Sequence, residues 1–186
     1  MLLRLVSLFL FLFSFSAAYA AEKETETPLT KLEVASKKIL DGLSENQTKQ
    51  FAAIRHSHGV IRAVEDVRKN ITKASESCSK HNPEFAVAMQ KRVGEWQASI
   101  DPILKNAKER LDTMIKLQDF ASPMETKSYL KKIDEAVAFK SKSMKSVPIT
   151  EKKECKKLLG TMDDTDKDLK ELLVQTLALD KPLEAK

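Results

Sequence analysis

From Pro28 onward the apolar residues recur every three or four positions and never alternate in twos, so this chain offers amphipathic helices and no half-buried strands. The punctuation between the apolar runs is equally helical. Ser44 followed by Gln47, and Ser122-Pro123 followed by Glu125, are capping boxes, in which a hydroxyl accepts from a free backbone N–H and the later side chain reaches back. These signals predict a short first helix over Leu29–Leu43 and a long one from Ser44 through Phe51, Ile54, His58, Ile61, Val64, Val67, Ile71, Ala74 and Cys78. Asn82-Pro83 restarts the helix, with Asn82 as cap. The next stripe runs from Phe85 through Met89, Val93, Trp96, Ile100, Ile103, Ala107, Leu111 and Met114 to Leu117. Pro102 is expected to kink this helix, with Asp101 capping the second piece. A further helix from Ser122 carries Tyr129, Ile133, Ala136 and Phe139 and fades through Lys140 to Ser146. Val147-Pro148 enforces extended backbone, and Thr150 is the expected cap of a last helix that ends before Pro182.

Short connections at Asn82 and Ser122 make neighbouring helices antiparallel. The expected fold is therefore all-α: an antiparallel four-helix bundle with an extra short N-terminal helix, forming one domain over residues 29–180. Lengths impose a condition on it. Residues 83–119 make about 55 Å of helix and 123–145 only about 35 Å. The last helix therefore starts beside Cys78 only if the chain bends at Pro102 or residues 141–150 climb extended, which covers up to about 30 Å. The Ser- and Lys-rich run SKSMKSVP favours the climb.

The apolar run Leu5–Phe15, preceded by Arg4 and followed by Ala18-Tyr19-Ala20, reads as a signal peptide over residues 1–20, cleaved after Ala20; retained, it would be a membrane anchor. Residues 21–28 then form a polar, unstructured start. The expected location is periplasmic or secreted. Asn-x-Thr triplets at Asn46 and Asn70 leave a glycosylating host open. In an oxidising compartment Cys78 and Cys155 read as one disulfide, structural in role and worth about 4 to 5 kcal/mol in the chain-entropy picture. Both also fall toward one end of the bundle. Two free thiols or an intermolecular bridge are the alternatives, and the absence of C-x-x-C excludes a thioredoxin-like motif.

Catalytic patterns are missing. The four glycines are scattered singly, no G-x-S-x-G is present, and the run Asp163, Asp164, Asp166, Asp168 lacks the glycine and glutamate of a calcium loop. His56 and His58 lie about 200° apart around a helix and cannot share a metal. His58, within the apolar seam, is either a hydrogen-bonded boundary imidazole or, as the alternative, a haem or metal ligand, with Met89, Met114 or Met162 as second ligand. No enzyme activity and no cofactor are expected.

One stretch is uneven in charge. Residues 127–157 hold ten lysines (Lys127, Lys131, Lys132, Lys140, Lys142, Lys145, Lys152, Lys153, Lys156 and Lys157) against four acidic residues. The whole chain carries only +5, so the remainder is net negative, and more so once Arg4 leaves with the leader. Such a segment serves either as a solubilising face or as a contact for anionic headgroups or an acidic envelope polymer. Lysine rather than arginine means diffuse attraction, and nucleic acid is not an expected partner after export.

The stretch Leu43-Ser44-Glu45-Asn46-Gln47 resembles the L-T-x-x-Q motif of the Spy and CpxP family of periplasmic helical chaperones, with Ser44 in place of Thr. That resemblance implies a small exported helical protein that holds unfolded clients. The layout of Asn82-Pro83, Trp96, Asp101-Pro102 and the two cysteines is also similar to exported helical proteins of bacteria without an assigned function. The expected function is thus non-catalytic binding of an envelope protein, an unfolded client or an anionic surface.

Overall fold

A computed structural model describes residues 26–144 and 147–181, apart from the side chain of Asp163. The expectations for the leader, for residues 21–25 and for Lys145 lie outside the described residues. The described chain forms five α-helices and a 3-10 turn, with no strand: α1 (Pro28–Leu40), α2 (Glu45–His81), the turn Pro83–Phe85, α3 (Ala86–Leu117), α4 (Pro123–Ser141) and α5 (Lys152–Thr176). The fold is all-α. Among the described residues no helix is long and apolar enough to cross a membrane.

Local signals set most helix starts. Ser44 Oγ accepts from the Gln47 amide at 3.3 Å while Gln47 Oε1 accepts from the Ser44 amide at 3.0 Å, and Ser122 and Glu125 make the matching box at 3.2 and 3.0 Å. A third box sits at Thr27, whose Oγ1 accepts from the Thr30 amide at 3.2 Å. Order therefore begins before residue 29, and α1 ends at Leu40 instead of Leu43.

Two expected caps do something else. Asn82 makes no side-chain cap bond; its Nδ2 donates to the Thr150 carbonyl at 2.9 Å and lies 3.5 Å from Cys155 Sγ. Thr150 does not cap α5 either, because Glu151 occupies that position without a side-chain bond. The pair of would-be caps instead ties the connection before α5 to the tip of the α2–α3 hairpin. Pro102 likewise lies within one continuous α3, and Asp101 pairs with Arg68 at 2.6 Å instead of capping. The break that Pro favours costs about 3 kcal/mol to suppress, and burial of Ile100 and Leu104 on either side offsets it.

The antiparallel pair α2 and α3, about 55 and 48 Å long, is the spine. The other helices occupy different levels of it. α4, about 28 Å long, lies along the start of α2 and end of α3, where Tyr129 meets Phe51 and Lys127 reaches Asp112. α5 lies at the opposite end, where Cys155 bonds Cys78 across a Cα–Cα distance of 5.6 Å, and then descends beside α3 to place Asp166 Oδ2 3.1 Å from Ser99 Oγ. α1 packs on α4. A bundle of α2 to α5 with α1 as an extra is thus not how the contacts are distributed: one half of the spine carries α4 and α1, the other α5. The cause is length, since α4 stops at Ser141 about half-way along α2, whereas α5 starts at Lys152 beside the far end, where Cys155 bonds Cys78.

One continuous core joins both halves. On α3 the buried positions are Met89, Val93, Trp96, Ile100, Leu104, Ala107, Leu111 and Ile115. After Pro102 they depart from the expected stripe: Leu104 replaces Ile103, Ile115 replaces Met114, and Leu117 is exposed. The buried set repeats every eleven residues (89, 100, 111; 93, 104, 115), which keeps pace with a straight helix, whereas the expected stripe slips toward a period of 3.5 and rotates off the contact face.

Candidate interaction surface at the end of α4

Results

Sequence analysis

From Pro28 onward the apolar residues recur every three or four positions and never alternate in twos, so this chain offers amphipathic helices and no half-buried strands. The punctuation between the apolar runs is equally helical. Ser44 followed by Gln47, and Ser122-Pro123 followed by Glu125, are capping boxes, in which a hydroxyl accepts from a free backbone N–H and the later side chain reaches back. These signals predict a short first helix over Leu29–Leu43 and a long one from Ser44 through Phe51, Ile54, His58, Ile61, Val64, Val67, Ile71, Ala74 and Cys78. Asn82-Pro83 restarts the helix, with Asn82 as cap. The next stripe runs from Phe85 through Met89, Val93, Trp96, Ile100, Ile103, Ala107, Leu111 and Met114 to Leu117. Pro102 is expected to kink this helix, with Asp101 capping the second piece. A further helix from Ser122 carries Tyr129, Ile133, Ala136 and Phe139 and fades through Lys140 to Ser146. Val147-Pro148 enforces extended backbone, and Thr150 is the expected cap of a last helix that ends before Pro182.

Short connections at Asn82 and Ser122 make neighbouring helices antiparallel. The expected fold is therefore all-α: an antiparallel four-helix bundle with an extra short N-terminal helix, forming one domain over residues 29–180. Lengths impose a condition on it. Residues 83–119 make about 55 Å of helix and 123–145 only about 35 Å. The last helix therefore starts beside Cys78 only if the chain bends at Pro102 or residues 141–150 climb extended, which covers up to about 30 Å. The Ser- and Lys-rich run SKSMKSVP favours the climb.

The apolar run Leu5–Phe15, preceded by Arg4 and followed by Ala18-Tyr19-Ala20, reads as a signal peptide over residues 1–20, cleaved after Ala20; retained, it would be a membrane anchor. Residues 21–28 then form a polar, disordered start. The expected location is periplasmic or secreted. Asn-x-Thr triplets at Asn46 and Asn70 leave a eukaryotic secreted origin open. In an oxidising compartment Cys78 and Cys155 read as one disulfide, structural in role and worth about 4 to 5 kcal/mol in the chain-entropy picture. Both also fall toward one end of the bundle. Two free thiols or an intermolecular bridge are the alternatives, and the absence of C-x-x-C excludes a thioredoxin-like motif.

Catalytic patterns are missing. The four glycines are scattered singly, no G-x-S-x-G is present, and the run Asp163, Asp164, Asp166, Asp168 lacks the glycine and glutamate of a calcium loop. His56 and His58 lie about 200° apart around a helix and cannot share a metal. His58, within the apolar seam, is either a hydrogen-bonded boundary imidazole or, as the alternative, a haem or metal ligand, with Met89, Met114 or Met162 as second ligand. No enzyme activity and no cofactor are expected.

One stretch is uneven in charge. Residues 127–157 hold ten lysines (Lys127, Lys131, Lys132, Lys140, Lys142, Lys145, Lys152, Lys153, Lys156 and Lys157) against four acidic residues. The whole chain carries only +5, so the remainder is net negative, and more so once Arg4 leaves with the leader. Such a segment serves either as a solubilising face or as a contact for anionic headgroups or an acidic envelope polymer. Lysine rather than arginine means diffuse attraction, and nucleic acid is not an expected partner after export.

The stretch Leu43-Ser44-Glu45-Asn46-Gln47 resembles the L-T-x-x-Q motif of the Spy and CpxP family of periplasmic helical chaperones, with Ser44 in place of Thr. That resemblance implies a small exported helical protein that holds unfolded clients. The layout of Asn82-Pro83, Trp96, Asp101-Pro102 and the two cysteines is also similar to exported helical proteins of bacteria without an assigned function. The expected function is thus non-catalytic binding of an envelope protein, an unfolded client or an anionic surface.

Overall fold

A computed structural model describes residues 26–144 and 147–181, apart from the side chain of Asp163. The expectations for the leader, for residues 21–25 and for Lys145 lie outside the described residues. The described chain forms five α-helices and a 3-10 turn, with no strand: α1 (Pro28–Leu40), α2 (Glu45–His81), the turn Pro83–Phe85, α3 (Ala86–Leu117), α4 (Pro123–Ser141) and α5 (Lys152–Thr176). The fold is all-α. Among the described residues no helix is long and apolar enough to cross a membrane.

Local signals set most helix starts. Ser44 Oγ accepts from the Gln47 amide at 3.3 Å while Gln47 Oε1 accepts from the Ser44 amide at 3.0 Å, and Ser122 and Glu125 make the matching box at 3.2 and 3.0 Å. A third box sits at Thr27, whose Oγ1 accepts from the Thr30 amide at 3.2 Å. Helical order therefore starts at Thr27 and Pro28, inside the stretch expected to be disordered, and α1 ends at Leu40 instead of Leu43.

Two expected caps do something else. Asn82 makes no side-chain cap bond; its Nδ2 donates to the Thr150 carbonyl at 2.9 Å and lies 3.5 Å from Cys155 Sγ. Thr150 does not cap α5 either, because Glu151 occupies that position without a side-chain bond. The pair instead ties the connection before α5 to the tip of the α2–α3 hairpin. Pro102 likewise lies within one continuous α3, and Asp101 pairs with Arg68 at 2.6 Å instead of capping. A proline inside a helix costs about 3 kcal/mol, and burial of Ile100 and Leu104 on either side of it offsets that cost.

The antiparallel pair α2 and α3, about 55 and 48 Å long, is the spine. The other helices occupy different levels of it. α4, about 28 Å long, lies along the start of α2 and the end of α3, where Tyr129 meets Phe51 and Lys127 reaches Asp112. α5 lies at the opposite end, where Cys155 bonds Cys78 across a Cα–Cα distance of 5.6 Å. It then descends beside α3 and places Asp166 Oδ2 3.1 Å from Ser99 Oγ. α1 packs on α4. A bundle of α2 to α5 with α1 as an extra is thus not how the contacts are distributed: one half of the spine carries α4 and α1, the other α5. The cause is length, since α4 stops at Ser141 about half-way along α2, whereas α5 starts at Lys152 beside the far end, where Cys155 bonds Cys78.

One continuous core joins both halves. On α3 the buried positions are Met89, Val93, Trp96, Ile100, Leu104, Ala107, Leu111 and Ile115. After Pro102 they depart from the expected stripe: Leu104 replaces Ile103, Ile115 replaces Met114, and Leu117 is exposed. The buried set recurs at eleven-residue spacing, as in Met89, Ile100 and Leu111, which keeps pace with a straight helix. The expected stripe slips toward a period of about 3.5 and rotates off the contact face.

Candidate interaction surface at the end of α4

The core-facing side of α4 is set by Thr126, Tyr129, Leu130 and Ala136, all buried. Burial stops there. The next turns leave Phe139 42% exposed and Met144 74% exposed, with Lys140 and Lys142 exposed beside them in the chain and Val147 85% exposed beyond. Phe139 is therefore not the core residue that its sequence position predicts. The step from Ala136 that stays on the contact face leads to Lys140, and Phe139 is rotated away from it.

The ten lysines separate into two groups. Lys127, Lys131, Lys132, Lys140 and Lys142 lie on or just after α4, whereas Lys152, Lys153, Lys156 and Lys157 lie on the first turns of α5 beside the disulfide. Some are already matched. Lys127 Nζ is 2.7 Å from Asp112 Oδ1, Lys131 is 3.9 Å from Glu135, and Lys152 is 2.8 Å from Glu84 and stands over the Phe85 ring. The Lys152 hydrogen bond, together with a backbone bond, holds the Glu84 carboxyl below its usual range. Among the described residues, Lys140, Lys142, Lys153, Lys156 and Lys157 form no ion pair.

Asp112 shows what the matched lysines do. Hydrogen bonds from Lys116 and Lys127 lower its pKa to about 2. Because the shift is downward, the folded protein binds this proton less tightly than the unfolded chain. The pairing therefore stabilises the fold above the ordinary carboxylate range, and its contribution is lost as pH falls through about 2. An NMR titration of the Asp112 carboxyl carbon is expected to show a midpoint near 2, moving upward in Lys127→Ala. A midpoint at the ordinary aspartate value in the parent would refute the pairing.

His58 is engaged between helices. Its Nε2 lies 2.9 Å from Asp134 Oδ1 on α4, and Arg62 Nε forms an ion pair with the same oxygen at 3.2 Å. The imidazole is only 16% exposed. A ligand at His58 Nε2 would have to displace Asp134, so the geometry favours the hydrogen-bonded reading of this residue. His56 points to solvent. Met114 Sδ receives the Ser57 hydroxyl at 3.9 Å, while Met89 and Met162 are buried core residues. Among the described residues no three His, Cys, Asp or Glu side chains converge to hold a metal ion. In the acidic run of α5, Asp166 turns to Ser99 and to Lys170, at 2.8 Å, and Asp164 and Asp168 face solvent.

No family model, no curated protein and no solved structure matches this chain. The surface at the end of α4 therefore stands on its own chemistry. Its signal was present in the sequence as Phe139 and Met144 interleaved with Lys140 and Lys142, but the helical stripe assigned the phenylalanine to the core.

Proposed function

We propose that this is an exported, non-catalytic helical protein that binds an anionic surface of the cell envelope through the end of α4. The observation that carries the reading is the exposure of Phe139 and Met144 next to Lys140 and Lys142, which form no ion pair among the described residues. Apolar side chains enter the headgroup region while lysines add electrostatic attraction worth about 1 kcal/mol each near an anionic membrane. Export is supported by the leader-like segment and by a fully buried disulfide, a bond that persists in oxidising compartments.

The test is co-sedimentation with vesicles of phosphatidylcholine containing a third phosphatidylglycerol. Binding is expected at low salt and weakens as salt screens it. Lys140→Glu with Lys142→Glu is expected to reduce it more than tenfold, and Phe139→Ser to reduce it at every salt concentration, without changing the thermal melt. Equal partitioning of parent and variants, or none by the parent, would refute the reading. The same exposed apolar residues also support a second reading, holding of an unfolded client. Suppression of aggregation of a denatured protein at equimolar ratio, lost in Phe139→Ser, without vesicle binding, would select it.

A further inference from the structure

A groove of 380 Å³ opens between α1 and α4 at the other end of α4 from the surface above. Its size falls in the range of small-molecule sites, about 300 to 1,000 Å³. The floor is apolar and still accessible: Ile39 from the end of α1 and Leu43 from the α1–α2 connection line it with Phe120 from the α3–α4 connection, and each is only partly buried. Tyr129 closes one side, its hydroxyl 3.1 Å from Ser36 Oγ, so the ring contributes a fixed apolar face.

The rim is cationic. Lys38 on α1 and Lys132 on α4 both line the groove, and neither makes an ion pair among the described residues. Among the described residues, Lys132 Nζ donates only to Ser128 Oγ, at 3.3 Å. Glu125 is the one acid on the rim, and its carboxylate is already used in the capping box, accepting from the Ser122 amide at 3.0 Å and hydroxyl at 2.7 Å. Those bonds, with Lys38 contributing at longer range, keep the Glu125 pKa below its usual value. The groove thus presents an apolar floor under two lysines whose charge one committed carboxylate does not cancel.

We propose that this groove binds a single-chain anionic amphiphile, a carboxylate-headed acyl chain, with the chain on Ile39, Leu43 and Phe120 and the headgroup between Lys38 and Lys132. A neutral or cationic amphiphile gains from the floor but not from the rim, so the site selects on headgroup charge. The site is separate from the surface at the end of α4, and either stands without the other.

Laurate below its micellar concentration, titrated into the isotopically labelled protein, tests this. Saturable shifts are expected at the Ile39 and Leu43 methyls and at Phe120. Lys38→Glu with Lys132→Glu is expected to weaken binding at least tenfold, and dodecanol to bind at least tenfold more weakly than laurate. Lys38 is exposed and Lys132 half-buried, and an unchanged spectrum away from the groove verifies that the variant is folded. No saturable shift at the groove, shifts confined to Phe139 and Met144, or equal affinity of laurate for parent and double variant would overturn the proposal.

Discussion

Replacing Cys78 and Cys155 together by alanine is expected to lower the unfolding free energy by about 4 kcal/mol. The bond closes a loop with a sequence separation of 77, and in the chain-entropy picture such a loop restricts the unfolded chain by about 4.5 kcal/mol. Both cysteines are wholly buried, so their loss also removes packed atoms from the end of the core. The position of the bond matters as much as its loop. Residues 142–151 join α5 to α4 along the chain, and at the start of α5 the disulfide and the Asn82 amide hold it to the hairpin tip. Without the bond, hydrogen exchange is expected to rise first in α5 and at the end of α2, while α4 and the start of α2 keep their protection. Urea melts of oxidised parent and double variant measure the difference. A loss under 1 kcal/mol would show that the α3–α5 contacts alone define that half of the fold.

Tyr129→Ala is expected to cost about 3 to 5 kcal/mol and to act on the opposite half. Tyr129 is buried, its ring centroid is 5.0 Å from that of Phe51, and Phe51 in turn meets Phe120 edge-on at 5.6 Å. Arg55 lies over both Phe51 and Tyr129, closing the cluster from solvent. This one side chain therefore joins α4 to α2 and, through its hydroxyl and Ser36, to α1. Tyr129→Phe separates the two contributions: it keeps the ring and deletes one hydrogen bond, an expected loss of about 1 kcal/mol. Faster exchange in α1 and α4 with α5 unaffected is the expected pattern for Tyr129→Ala. Equal losses in both tyrosine variants would assign the stability to the Ser36 bond and not to the aromatic cluster.

These two changes act on different halves because the helices divide the spine between them, and that division was only partly legible. The capping boxes at Ser44 and Ser122 were readable because each is a bond between residues three apart. The cysteine pair was readable from helix order together with the expectation of an oxidising compartment. Asn82 and Thr150 show the limit. Both have cap chemistry, yet they bond to each other's segment across the tertiary structure, an alternative no local pattern records. Thr27 shows the reverse: its box uses Thr30 where the usual pattern has Glu or Gln, and was not anticipated.

The candidate sites divide in the same way. The lysines were visible as a count, but which of them are neutralised depends on Asp112 of α3 and Glu84 at the hairpin tip, both remote in sequence. His58 was visible as a seam residue, but its partner Asp134 comes from another helix. Nothing in the sequence indicated the groove, because its walls come from α1 and α4, which meet only after folding.

By itself, then, the sequence determined that the chain is helical, where α2 and α4 begin, and which faces are apolar. All of these follow from interactions within about four residues. Tertiary structure decided which level of the spine each helix covers, which lysines stay free of carboxylates, and that the end of α4 emerges with Phe139 exposed. Those outcomes depend on helix lengths and on contacts between distant segments, and a periodic pattern contains neither.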